Sequence, residues 1–414
     1  MIERAFNLND PAFIQNPYPL LEELRETAPM FYDPQWQQVY VSRYEDIAFF
    51  LKDKRLGRSM THILSRDELG WPPPDPRLRE FTKFNTQHML DNEPPRHTRM
   101  KALALKAFTP QRSESLRGQI EKIVTALLDA VEQRGEMDLH DDFAEPLPVI
   151  VIAELLGVPE EDRINLRPWS AAIVKMYEMA PSDAQIAAAE LAAQQFSNYI
   201  RALARERKRH PGADLISAMV HAEQDGDMLT EDELVANCIL LLNAGHEATV
   251  NGTTAGMLAL QRNPTQKQLL IDEAQRNPST NTQPSPLFKT AVDELLRYDT
   301  PLPMFERYVL EDFEYKGHAF KRGMELGLIY ASGNRDPRKF AHADALDVTR
   351  TDNPHLTFGL GIHYCIGAPL ARLEMQVALH VLLRRFPNIQ VTIDQPEYSG
   401  FVLRGIKHLP VLLR

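Results

Sequence analysis

The sequence predicts a mainly α protein with small β-sheets, folded as a single domain over residues 1–414. Three observations support this. Apolar residues recur at helical spacing through most of the chain. Strand-like runs are short and few, as at 37–42, 307–310 and 326–330. Internal repeats and low-complexity linkers are absent, so nothing marks a boundary between modules.

Residues 17–25 form a short amphipathic helix. A strand at 37–42 and a helix at 44–51 follow. Residues 57–90 contain Trp71, Pro72, Pro73, Pro74 and Pro76, which cannot continue a helix, and read as a long surface loop of the kind that serves as a lid. Helix returns over 96–132 with a break at Thr109-Pro110, then over 142–156, 160–177 and 182–209. The last of these ends in Arg201, Arg205, Arg207, Lys208 and Arg209, cations that suit the negative end of the helix dipole. Residues 230–262 form the longest helix. Thr230 and Glu233 make a capping box ahead of an apolar run, and Asn263-Pro264 stops it. About 33 residues at 1.5 Å each give roughly 50 Å, a length that suits a helix through the middle of the molecule. A helix over 287–297 ends at Thr300-Pro301. Residues 334–357 are irregular, a final helix runs from near Cys365 to Phe386-Pro387, and 391–393 with 401–403 suggest a closing hairpin.

Composition excludes several function classes. The formal net charge is −11, which argues against a nucleic-acid coat. Cys238 and Cys365 are the only cysteines, so a disulfide scaffold and a four-thiolate metal site are excluded. Residues 1–10 lack an apolar signal core. The most apolar stretch, 234–250, is interrupted by Asn237, Asn243, His246 and Glu247 and is unsuited to a bilayer. The expectation is a cytoplasmic protein with no membrane and no nucleic-acid partner. Cys238, in an apolar helix half, reads as core.

Cys365 is different. It follows Phe358, Gly359 and Gly361 and enters a helix with Leu370, Leu373, Val377 and Val381 on one face. Glycines permit a tight turn, and a helix N-terminus favours a thiolate. Such a thiolate is a metal ligand or a nucleophile. A dinucleotide fingerprint fails because Tyr364 stands where glycine is required. A zinc site lacks further thiolates or a tight histidine pair.

Phe358, Gly361, Cys365 and Gly367 match a haem-binding signature, and the chain resembles the soluble bacterial members of the cytochrome P450 family over nearly its whole length. The resemblance implies a cytochrome P450 fold, with haem b between the long central oxygen-binding helix and the cysteine-loop helix. It implies Cys365 as axial thiolate, with Phe358 and Gly359 in the cofactor loop. Glu294 and Arg297 resemble the family's bracing pair. Where some members add a third, arginine partner this chain has Ala345, so backbone carbonyls or another residue would finish the brace. His97, Lys101, Arg307 and His355 resemble haem-propionate ligands, with Lys101 in place of the usual arginine.

Residues 244–249, Ala-Gly-His-Glu-Ala-Thr, put a glycine inside a helix, a local weakness of about 1 kcal/mol of the sort that marks functional sites. A zinc-protease motif fails because Val250 replaces the second histidine. The segment resembles the family's oxygen-binding kink: Ala244 and Gly245 would leave room for O2, and Glu247 would relay protons. The usual threonine is Ala248, with a hydroxyl next door at Thr249. Three accounts stay open: Thr249 or a water substitutes, a substrate hydroxyl takes part, or coupling is poor.

The resemblance also implies a substrate pocket from Met89, Leu90, Met176, Asn243, Ala244, Leu302, Pro303, Phe401 and Val402, mostly apolar, and hence a lipophilic small-molecule substrate. With no flavin or iron–sulfur segment, electrons would come from NAD(P)H through a separate ferredoxin and reductase. Arg99, Lys106, Arg338, Lys339 and Arg372 would form a basic docking patch. The expected activity is monooxygenation, hydroxylating or epoxidising the substrate. A peroxide-driven peroxygenase, and a haem-binding sensor or silent scaffold, are the alternatives.

Overall fold

A computed structural model describes residues 1–177, 181–223, 226–277 and 285–413. The chain forms two compact units, each assembled from discontinuous segments. The first comprises Met1–Gly57, Ser113–Pro148 and Glu247–Arg414, and the second Arg58–Arg112 and Val149–His246.

The first unit contains the sheets. Its six-stranded sheet runs in the order Ile2–Glu3, Met30–Asp33, Gln38–Val41, Glu325–Leu328, Phe305–Val309 and Leu56–Gly57. Gln38–Val41 is buried on both faces, between an antiparallel partner (Phe31 opposite Tyr40) and a parallel one (Val39 opposite Leu326). Strand alternation divides its side chains. Val39 and Val41 enter a core with Ile47, Phe50 and Leu328, whereas Tyr40 joins Phe6, Phe13 and Phe31 on the other face. The helix Ala368–Arg385 packs against Arg117–Glu132, Pro264–Arg276 and Pro286–Tyr298.

In the second unit, Asp183–Arg209 packs against Arg79–Gln87, Leu166–Val174 and Leu215–Val220. Ser182 caps it, and Gln185 reaches back to complete a capping box. The helix Glu231–Arg262 runs from the second unit into the first. Its predicted cap is present: Thr230 N–H donates to Glu233 at 3.1 Å, and Glu233 N–H donates to the Thr230 hydroxyl at 3.2 Å.

Three expectations are corrected. Residues 57–90 are not all loop, because Arg79–Gln87 is helical: Phe81 and Phe84 bury one face, and the Glu190 carboxylate accepts the N–H groups of Glu80 and Phe81. Helices at Leu215–Val220 and Pro264–Arg276 add to those expected. The closing hairpin does not form between 391–393 and 401–403. Instead Gln390–Val391 pairs with Pro410–Leu412, which pairs in turn with Glu136–Asp138. The latter partner lies too far away in sequence for local pattern to show it.

Candidate active site

The loop before Cys365 is shaped by its glycines. Gly359 and Gly361 have φ of +67° and +73°, and a Cβ at Gly361 would collide with the Leu51 carbonyl oxygen. Only glycine meets both demands. The Cys365 N–H donates to the Phe358 carbonyl at 3.0 Å and closes the loop, and helix begins at Ala368. The two cysteines then part ways. Cys238 is buried, which pushes its thiol up to about 12, whereas Cys365 is exposed. Exposure is unusual for cysteine, among the most buried residue types. Arg372 holds a cation over the loop, with its guanidinium 4.3 Å from the Phe358 ring centroid and 2.6 Å from Asp293.

The brace beneath this loop is complete without an arginine at 345. Arg297 and Glu294 are fully buried and paired in a two-pronged contact at 2.7 and 2.8 Å. The remaining Arg297 donors reach the carbonyls of Asn334, Ala343 and Ala345. Glu294 also accepts from Arg350 at 3.0 Å, from Asn353 and from the Asp347 N–H. Backbone carbonyls and Arg350 together supply what Ala345 lacks. A buried ion pair is costly unless its remaining hydrogen-bonding capacity is filled, and here it is. Asn334 ties the same region together through Thr300, Thr357 and the Leu356 N–H.

His355 joins this brace. Its Nε2 meets Asp293 at 3.2 Å and its Nδ1 accepts the Thr357 N–H at 3.3 Å. Both ring nitrogens are engaged within the protein, and burial holds the imidazole below its ordinary pKa, favouring the neutral form. Arg307 is 2% exposed on Phe305–Val309 and donates to the Glu306 carbonyl at 2.8 Å. In the second unit, buried His97 and half-buried Lys101 stand one turn apart on Arg96–Ala107.

On the central helix, burial changes sharply. Ala244 is exposed and Gly245, Glu247 and Ala248 are half-buried, while Asn243, His246, Thr249 and Val250 are buried. At 100° per residue the open positions form one face. Thr249 lies on the buried flank, so its hydroxyl does not share the face of Ala248. The helix glycines differ in the same way. A Cβ at Gly252 would sit 3.1 Å from Leu296 and 3.2 Å from Met375 Sδ, and one at Gly256 3.3 Å from Leu295. These two permit close packing. A Cβ at Gly245 would meet only Ile152, at 3.9 Å, so this glycine leaves open space instead.

Two buried polar groups stand out: Asn243, already among the expected pocket residues, and Glu374. Asn243 is 5% exposed, and neither its Nδ2 nor its Oδ1 has a hydrogen-bond partner, an arrangement that costs about 1–3 kcal/mol. Glu374 is buried, its Oε2 is unpartnered, and burial alone pushes its carboxyl up to about 8. Its signal was available: Glu374 occupies a position in the apolar stripe of Leu370, Leu373 and Val377.

The expected pocket residues separate. Met89 is buried, with its N–H donating to Asn237. Leu90, Met176 and Leu302 are half-buried, Pro303 is buried and Val402 is exposed. Phe401 is a core residue, 4.6 Å from the Phe13 ring centroid. The expected basic patch is largely neutralised within each unit: Arg99 pairs with Glu233, Arg338 with Glu26 and Arg372 with Asp293.

An exposed thiol on a glycine-shaped loop, a brace built on the buried Glu294–Arg297 pair and a long helix with one open, acid-bearing face together fit a haem-thiolate protein. Residues 59–404 match the Cytochrome P450 family model. Polyketide biosynthesis cytochrome P450 PksS of Bacillus subtilis (strain 168) is 37% identical over 100% of both chains, and its solved structure has a TM-score of 0.86 with 99% of each chain covered. Mycinamicin IV hydroxylase/epoxidase of Micromonospora griseorubida is 38% identical over 94% of each chain. A structure of P450BioI in complex with hexadec-9Z-enoic acid ligated acyl carrier protein is 35% identical, covers 98% of this chain and 99% of that one, and has a TM-score of 0.86. The chain belongs to the cytochrome P450 family and is a haem-thiolate monooxygenase. Haem b bound through a cysteine thiolate supplies the dioxygen-activating chemistry of such enzymes. Among the described residues, no helix is long and apolar enough to cross a membrane.

Proposed function

We propose that this enzyme hydroxylates or epoxidises a lipophilic small molecule in the cytoplasm, using O2 and electrons from NAD(P)H through a separate ferredoxin and reductase. The observation that carries the reading is the open face of the central helix, where Gly245 makes room and Glu247 supplies an acid within an otherwise buried element. Cys365 would hold the haem iron through its thiolate, and Phe358 and Gly359 shape its loop. His97, Lys101, Arg307 and His355 would hold the cofactor's carboxylates by hydrogen bonds, with Lys101 and Arg307 supplying positive charge. Glu247 carries protons inward, and the side chain at Ala248 contributes none. The relay is therefore completed by water or by a hydroxyl of the substrate.

The relative named for polyketide biosynthesis, and the neighbour in complex with a hexadec-9Z-enoic acid ligated acyl carrier protein, support a substrate assembled from acyl units. Glu247 weighs against a peroxide-driven enzyme, because it provides the proton path that O2 activation requires. The test is Soret titration of the haem-replete ferric enzyme with fatty acids, macrolides, steroids, terpenoids and aromatic acids. NADH-driven turnover with a ferredoxin and its reductase then follows. A high-spin shift with at least one acyl-derived ligand, followed by O2-dependent product, is expected. Product from hydrogen peroxide alone at an equal rate would overturn the reading.

A further inference from the structure

We infer that Asn243 is a specificity-determining residue that binds a hydroxyl group of the substrate. This rests on the monooxygenase reading above and adds the polar feature that the substrate must carry.

The helix provides its own control. Asn237, six residues earlier, is also a buried asparagine, and its amide is satisfied. Its Nδ2 donates to the Glu233 carbonyl one turn back at 2.7 Å, and its Oδ1 accepts the Met89 N–H at 3.0 Å. Thr254 likewise donates back to the Val250 carbonyl at 3.0 Å. A bond back to the preceding turn is thus readily available to polar side chains of this helix. Asn243 does not take it: its Nδ2 and Oδ1 are both unpartnered. A leucine in its place would fill the same volume with no polar group to satisfy, and Leu240, Leu241 and Leu242 precede it.

Its position indicates what the amide faces. Asn243 adjoins exposed Ala244 and lies one turn before Glu247, a separation that stacks two side chains on the same side of a helix. It therefore stands where the buried flank meets the open face, between Val250 and Glu247 on the helix circumference. An amide offers an N–H donor and a carbonyl acceptor side by side, and a hydroxyl answers both, donating to Oδ1 and accepting from Nδ2. A ketone or ether satisfies only the donor, and a hydrocarbon neither. A buried amide rejects partners that leave it unpaired far more strongly than an apolar pocket rejects a change in size. Asn243 thereby selects an alcohol within an otherwise apolar class of molecule.

The test uses iron-anchored probes, so it does not depend on knowing the substrate. Haem-replete wild-type enzyme, Asn243→Leu and Asn243→Asp are titrated with 1-alkylimidazoles and with ω-hydroxyalkylimidazoles of matched chain length, from two to eight carbons. Binding is read from the Soret band. At one or more lengths the wild type should prefer the hydroxyl probe over its hydrocarbon partner by at least tenfold more than Asn243→Leu does. Asn243→Asp, which keeps an acceptor, should retain part of the preference. A resting Soret spectrum, haem content and melting temperature of Asn243→Leu equal to those of the wild type show that its fold and haem site are intact. Equal hydroxyl preference in wild type and Asn243→Leu at every length would overturn the inference, as would loss of affinity for both probe series alike. Failure of NADH-driven turnover would instead count against the monooxygenase reading and leave the probe result standing.

Discussion

The brace beneath the cysteine loop and the open face of the central helix handle buried polarity in opposite ways. Around Glu294 and Arg297, carboxylate oxygens and guanidinium donors are matched to Arg350, Asn353 and backbone groups. At Asn243 an amide is buried with no partner. The first arrangement fixes a geometry, since each group is held by several others. The second keeps hydrogen-bonding capacity in reserve for something that arrives later. A rigid support for the thiolate and an unsatisfied surface for ligands are the two properties an oxygenase needs, and they reside in different elements.

Substitutions can break this contrast, starting with the most severe. Cys365→Ser should abolish turnover and remove the red-shifted ferrous–CO Soret band that a thiolate ligand gives, which CO difference spectroscopy measures. Arg297→Ala should lower stability by about 3–5 kcal/mol, because it leaves Glu294 buried without its main partner. Thermal melts and haem content after gel filtration would register the loss, and an unchanged melting temperature would contradict the bracing role.

Glu374→Gln sharpens the comparison through pH. The native carboxyl titrates near 8, against an ordinary value of 4.5, so the native state holds a proton that the unfolded chain releases. Its contribution is full below about 4.5 and is lost as pH rises through 8. Wild-type stability should fall relative to Glu374→Gln across that window, by on the order of 5 kcal/mol, and the gap should level off above pH 8. Denaturant melts at pH 5, 6.5, 8 and 9 would measure it, and parallel curves would refute it. Ala248→Thr should have the smallest effect, changing product formed per NADH by less than about twofold, a difference of under ~0.4 kcal/mol. A large gain in coupling with native substrate would show that the relay lacked a hydroxyl after all.

Much of this was legible in the sequence where the physics is local. The capping box of the central helix, the glycines before Cys365 and the break at Pro110 are read from a few adjacent residues, and the structure contains all three. What stayed hidden depends on distant partners. Arg350 is an ordinary loop arginine until Glu294 is brought beside it. The contacts of His355 with Asp293 and the Thr357 N–H cannot be recognised from spacing. Asn243 and Asn237 look alike in one helix, and only tertiary structure gives one a partner and leaves the other without.

The strand Pro410–Leu412 has a consequence for how the protein is made. It is the central strand of its three-stranded sheet, and one neighbour, Glu136–Asp138, lies far upstream. Residues 410–412 therefore complete a layer whose neighbouring strand leaves the ribosome well before them. At about 5–20 residues per second, that early strand waits roughly 15–55 seconds for its partner. Over that interval the nascent chain must keep an unpaired strand edge from pairing elsewhere, which makes Pro410–Leu412 a determinant of yield in expression as well as of stability.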